Sequence, residues 1–138
     1  MKKVSFHILR VGLAITFLWI GILIFRDPEG WGGYLQPWAV GLLPFPLKQA
    51  MIGTAILDIV IGAFLLIDFL TLPISLIASL HLIIVLSFSG ITNITVRNIG
   101  LLAATFALII ETFPPEALNW FINKNKKADK KVNSGFSN

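Results

Sequence analysis

Asp58 stands in the middle of Gln49 to Ile67, nineteen residues that carry no other charge. A carboxylate at the centre of so apolar a stretch costs roughly 2.5 to 3.5 kcal/mol on membrane-insertion scales, so it normally faces a partner or a ligand. The ten Ile, Leu, Val and Phe residues around it contribute about 0.3 to 0.6 kcal/mol each in the opposite direction, enough for the segment to carry the charge. Three further groups could share its chemistry. His81 can both donate and accept, which suits a hydrogen bond to a carbonyl such as that of a quinone, or proton exchange with Asp58. Arg97, beside Asn98, could attract an anion, and Arg10 could reach Asp58 or Glu111. Asp58, His81, Arg97 and Arg10 are therefore the candidate ligand-binding or proton-relay residues, with no nucleophile–base pair or metal-ligand spacing to assign a catalytic group or a metal.

Each of these residues also has a plainer reading. Asp58 could be a structural ion pair, most simply with an arginine, that sets helix register. Arg10 could snorkel to phosphates, His81 could bond a neighbouring helix, and Arg97 could anchor a helix end. Glu111 and Asp68, near segment ends, are expected to be solvated. His7 and His81 lie towards opposite surfaces, which argues against a shared haem.

The elements that must hold these groups follow from composition. In 138 residues, 56% are hydrophobic and 13% charged, and the mean hydropathy is +0.84. Soluble domains carry about a quarter charged residues, so a bilayer is the solvent this chain is written for. There is no cysteine, which removes disulfide, thiolate and iron–sulfur chemistry. Apolar runs of membrane length predict spans at about 4–25, 47–67, 69–88 and 96–113. The first run is too long for a secretory signal and is read as a retained helix. Five of the eleven Lys and Arg residues fall in the last fifteen positions, and Lys2, Lys3 and Arg10 flank the start, so the positive-inside rule puts both termini in the cytoplasm. That distribution suits a topology signal rather than nucleic acid. The expected architecture is all-α, a transmembrane four-helix bundle over residues 1–123 in a cell membrane. An interfacial segment at 115–122 and a disordered lysine-rich tail at 124–138 complete it.

Between the first two spans, Trp31, Tyr34 and Trp38 sit among glycines and prolines and are expected at headgroup depth, where they could also form an outer lid. Helical steps of 100° gather polar and small residues on stripes. Lys3, His7, Arg10, Ala14, Phe17 and Gly21 share one on the first span, and Thr54, Ala55, Asp58 and Gly62 one on the second. The fourth span has Arg97, Gly100, Ala104, Ala107 and Glu111. These stripes are expected to face one another, with His81 of the third span beside Ile74, Ala78, Val85 and Phe88. Taken together, the ionisable groups predict a ladder from Arg97 through His81 and Asp58 to Arg10 and Glu111.

Three motifs carry a family resemblance. They are the run from Arg10 to Gly21 with Phe17 between, Asp58 between Gly53 and Gly62, and the opening Arg97-Asn98-Ile99-Gly100-Leu101-Leu102. The chain resembles the DoxX family of small four-helix membrane proteins over roughly residues 8 to 111. It departs from the pattern at Ile24, where the family often has lysine, and at Asp58, where glutamate is commoner. The resemblance implies the membrane subunit of a redox system, quinone-linked or tied to sulfur or oxidative stress. On that reading the chain has no intrinsic cofactor, a quinone is the ligand, a soluble oxidoreductase is the partner, and membrane lipids or a second copy are neighbours. A non-enzymatic scaffold or assembly factor is the alternative, and a small proton-coupled transporter ranks third.

Overall fold

The computed structural model describes residues 3–116 and 119; most of the interfacial segment expected at 115–122, and all of the tail expected at 124–138, lie outside the described residues. The described chain is helical, with no strand among those residues. Its elements are α1 (Lys3–Arg26), α2 (Pro28–Gly32), α3 (Pro37–Gly41), α4 (Leu47–Leu66), α5 (Thr71–Ser89) and α6 (Arg97–Thr112). Three of them, α1, α4 and α5, are long and apolar enough to cross a membrane. At 1.5 Å per residue the sixteen residues of α6 reach about 24 Å, shorter than a typical hydrocarbon core.

The core is largely apolar, but the surface is unlike that of a water-soluble protein. Val4, Ile8, Ile15 and Trp19 of α1, and Leu76, Leu80 and Ile83 of α5, are exposed, while Arg10, Asp58, His81, Ser75, Ser79 and Thr105 are buried. In water that surface would cost roughly 25 cal/mol for each Å² of apolar area left wet. Lipid removes the cost, and the distribution marks an integral membrane protein.

The bounds of α2, α3 and α6 have local causes. Pro28 and Pro37 open α2 and α3, where the missing N–H is one that a helix leaves unpaired anyway. Asp27 caps α2 by accepting from the Gly30 N–H at 3.0 Å. Before α6, Thr92 and Thr95 cap each other's backbone: Thr95 N donates to Thr92 Oγ1 at 3.1 Å, and Thr92 N to Thr95 Oγ1 at 2.8 Å. Beyond α6, Pro114 and Pro115 supply no N–H to continue the helix.

The most extensive interfaces are α1 with α4 and α5 with α6; α4 also touches α5, and α1 touches α6. In the first of these pairs the helices run antiparallel and close. A Cβ on Gly62 would lie 2.8 Å from the Ala14 carbonyl oxygen, and one on Gly21 would lie 2.8 Å from that of Ala55. Small residues on two facing stripes permit that approach. On α6 the expected stripe is wrong by about one residue. Gly100 is open and Arg97 is exposed, whereas Asn98, Thr105 and Leu108 are the buried residues. The reason is Thr105, whose hydroxyl accepts from Ser79 of α5 at 2.8 Å and turns the polar face of α6 towards α5.

The turn between α4 and α5 explains Arg10. A helix leaves its last carbonyls without intrahelical donors. Arg10 Nη1 donates to the carbonyl of Leu65, and to that of Leu66 at 3.0 Å. Its Nε lies 3.3 Å from Asp68 Oδ1, an ion pair without hydrogen-bond alignment. Asp68, expected to be simply solvated, is thus paired with Arg10 and also accepts from Thr71 Oγ1 at 2.8 Å. A cation at this helix end also opposes the partial negative charge of the α4 dipole. Arg10→Met should lower stability by about 2 to 3 kcal/mol, the cost of leaving buried acceptors unpaired, and Arg10→Lys should recover part of the loss. Thermal unfolding in mild detergent measures both.

Candidate functional site

Asp58 and His81 meet. His81 Nε2 lies 3.0 Å from Asp58 Oδ1, and both side chains are at least nine-tenths buried. Asp58 is eleven residues into α4 and His81 ten into α5, so both project from near the middle of their helices, about 12 to 17 Å from the ends. The sequence pointed to an arginine as the simplest partner of Asp58, and the structure replaces it with this histidine. The pairing follows from packing: α1 delivers Arg10 to the far end of α4, while the α4–α5 hairpin brings the two mid-helix groups level. Nε2 faces a carboxyl oxygen of Asp58, so one hydrogen lies between them, and Nδ1 is left for a further group.

The pair forms one end of an apolar cavity of about 270 Å³. Phe17, Ile20 and Ile24 of α1 form one wall, Met51 and Thr54 of α4 a second, and Leu82, Val85 and Phe88 of α5 a third. Leu101 and Asn98 of α6 close the ring, and Trp31, Tyr34 and Leu35 roof it. A mostly apolar hollow with a few convergent polar groups is the usual form of a small-molecule site. Ile84, exposed on the flank of α5, also lines it, so one wall borders the lipid-facing surface.

Arg97 reaches the mouth of the same cavity. Its guanidinium carbon lies 5.5 Å from the centre of the Trp31 ring, a cation–π contact that holds the roof to α6. Among the described residues no carboxylate pairs with Arg97. Beside it, Asn98 is buried, lines the cavity and makes no side-chain hydrogen bond among the described residues, so its amide is available to an occupant.

Of the expected lid residues, Trp31 and Tyr34 line the cavity and meet edge to face at 5.9 Å. Trp38 is not in the lining. It lies outside, edge-on to Phe88 at 5.5 Å and largely exposed. Arg10 is also remote from the site, engaged with α4 and Asp68 as described. The four candidate residues therefore divide: Asp58, His81 and Arg97 share one cavity, and Arg10 belongs to a structural clamp.

No protein-family model, curated protein or solved structure matches this chain. Its chemistry has to be read from the site itself.

Gln36 is a residue that pattern reading passed over. Its N–H donates to the Phe88 carbonyl at 2.8 Å and its Nε2 to the Ser89 carbonyl at 3.2 Å, fastening the roof segment to the end of α5. Nothing in the local sequence marks it, because its partners are more than fifty positions away. Thr92 and Thr95 did carry a signal, a hydroxyl pair three residues apart just before an apolar run.

Proposed function

We propose that the protein is a four-span membrane protein, similar to the DoxX family, that holds a lipophilic ligand of quinone type as the membrane part of a redox system. The observation that carries this reading is the buried Asp58–His81 pair at the floor of an apolar cavity that borders the lipid-facing surface. A ring-bearing ligand would enter past Ile84, bury its apolar faces against Phe17, Leu82 and Val85, and set one carbonyl towards His81. Arg97 and Asn98 would donate to a second acceptor at the mouth. The pair would then pass on the two protons that accompany two-electron reduction of a quinone to a quinol, or accept them on oxidation, exchanging them with solvent through the cavity. Electrons would come from a soluble oxidoreductase subunit, since no side chain here carries them.

In this arrangement α6 is the fourth span, its short length completed by Ile91, Ile94 and Val96 before it and Phe113 after it. The host is a cell membrane, with both termini on the cytoplasmic side, supported by Lys3, Arg10 and the lysine-rich tail. The second reading is a scaffold, favoured by the fact that the same pair joins α4 to α5 and could act only as a brace.

Native mass spectrometry of gently solubilised protein separates the two. Asp58→Asn keeps an oxygen that accepts from His81 but removes the protonatable carboxylate. Under the redox reading the wild type retains a quinone-type molecule and the folded variant loses it. An empty wild type, with a variant that only unfolds more easily, leaves the scaffold.

A further inference from the structure

The ionisable ladder expected across the bilayer is broken in one place, and the break has a consequence for proton traffic. Between the Asp58–His81 pair and the Arg10–Asp68 clamp, all four long helices contribute to a dry core. Leu13 and Phe17 come from α1, Ile61 and Leu65 from α4, Ala78 from α5 and Leu108 from α6, none more than 3% exposed. Among the described residues the buried polar side chains at this level are Ser75, Ser79 and Thr105. Ser79 and Thr105 already donate, to Thr105 and to the carbonyl of Leu102, while the Ser75 hydroxyl is fully buried and unpartnered. With Thr71, which donates to Asp68, Ser75 and Ser79 recur every four residues along α5, so this polar row starts at the clamp, and no hydrogen bond among the described residues carries it on to the Asp58–His81 pair. A close-packed interior of this kind has no room for a water chain.

On the other side the situation is reversed. The cavity runs from Asp58 and His81 to Tyr34 and Arg97, both exposed, at the end of the molecule that bears α2 and α3. We infer that the Asp58–His81 pair exchanges protons and small polar solutes only with this loop-bearing end, and is sealed from the end that carries the termini. The groups facing the pair support the same sense. From α4 it is Asp58 itself and from α5 His81. The cavity lining from α1 carries no titratable group, the α6 lining has Arg97 at the mouth, and the roof has Tyr34. His7, Arg10, Asp68 and Glu111 all lie beyond the dry core. This sidedness is a property of the cavity and its seal, whichever molecule the cavity holds. If turnover occurs at the pair, its protons appear on one defined face of the membrane, and a through-path for a proton-coupled transporter is missing.

The chain has no cysteine, so single-cysteine variants report access without background. In reconstituted vesicles, Leu42→Cys marks the loop-bearing end and Ser5→Cys the terminal end, both positions being exposed. Thr54→Cys and Asp58→Cys sample the cavity, and Ser75→Cys samples the dry half with a near-isosteric change. A membrane-impermeant charged methanethiosulfonate is applied to one side at a time. The expected result is labelling of Thr54→Cys and Asp58→Cys only from the side that labels Leu42→Cys, and loss of labelling from the other side. Ser75→Cys should stay unlabelled from both until the protein is denatured. Thr54 is outside the pair, so its variant keeps the test decisive if Asp58→Cys fails to fold. Labelling of Thr54→Cys from the Ser5→Cys side, labelling of Ser75→Cys from that side, or no labelling of Thr54→Cys from either side would each overturn the inference.

Discussion

Leucine in place of Gly62 is expected to force α1 and α4 apart and to cost about 3 kcal/mol or more, beyond the usual range for overpacking. The reason lies in what the new side chain would meet. Its Cβ would sit 2.8 Å from both the Ala14 carbonyl oxygen and the Leu18 nitrogen, and main chain cannot rotate aside as a side chain can. Relieving the overlap means separating helices whose contact also aligns Arg10 with the end of α4 and Phe17 with the cavity. The loss should therefore spread to the site as well as to the fold. Gly12→Leu and Gly53→Leu supply the control. Nothing lies within 4 Å of either added Cβ, and both positions are exposed. Leucine is also the better helix former by about 0.8 kcal/mol, so these variants should be neutral or slightly more stable. Unfolding by heat or by a titrated denaturing detergent ranks the three. Equal effects at positions 12, 53 and 62 would contradict the close α1–α4 approach.

Removing one member of the Asp58–His81 pair is expected to hurt more than the pair is worth. His81→Leu leaves a carboxylate in the bundle without its donor. In soluble proteins, removing one partner of a buried charged pair costs about 3 to 5 kcal/mol. Interhelical hydrogen bonds in membranes have much smaller coupling energies, averaging about 0.6 kcal/mol with a maximum near 1.7, because the separated helices find other partners. Those two magnitudes predict a specific pattern. His81→Leu alone should cost about 1 to 2 kcal/mol, nearer the membrane figure, and adding Asp58→Leu, itself close to neutral, should restore most of that loss, which makes the coupling in the double-mutant cycle about the same size. Additive losses in the double variant would show that the two side chains do not interact. A rescued fold that no longer retains a ligand would separate the pair's function from its role as a brace.

The helices themselves were legible because their cause is local. Each of the four long apolar stretches is bounded by proline, charge or a polar cap, and burial in lipid requires that backbone groups be satisfied within the segment. Asp58 and His81 were legible as candidates for a related reason, since an ionisable group in an apolar stretch is costly wherever the chain places it. The small residues of α1 and α4 likewise announced their contact, because only a stripe without side-chain bulk lets two backbones come so close.

Partnership was not legible in the same way. Whether Asp58 met an arginine or a histidine depended on the height at which α5 stands beside α4, which the turn at Asp68 and the Arg10 clamp decide together. The rotation of α6 depended on one hydroxyl contact, Ser79 with Thr105, that outweighed a stripe of glycine and alanine. Gln36 gained its role only once the chain had returned, fifty residues later, to offer it the end of α5. Lipid-facing character, segment length and the cost of an isolated charge are properties of a stretch of chain, and the sequence alone determined them. Register, rotation and the identity of each polar partner are properties of distances between stretches, and those were decided only when the helices packed.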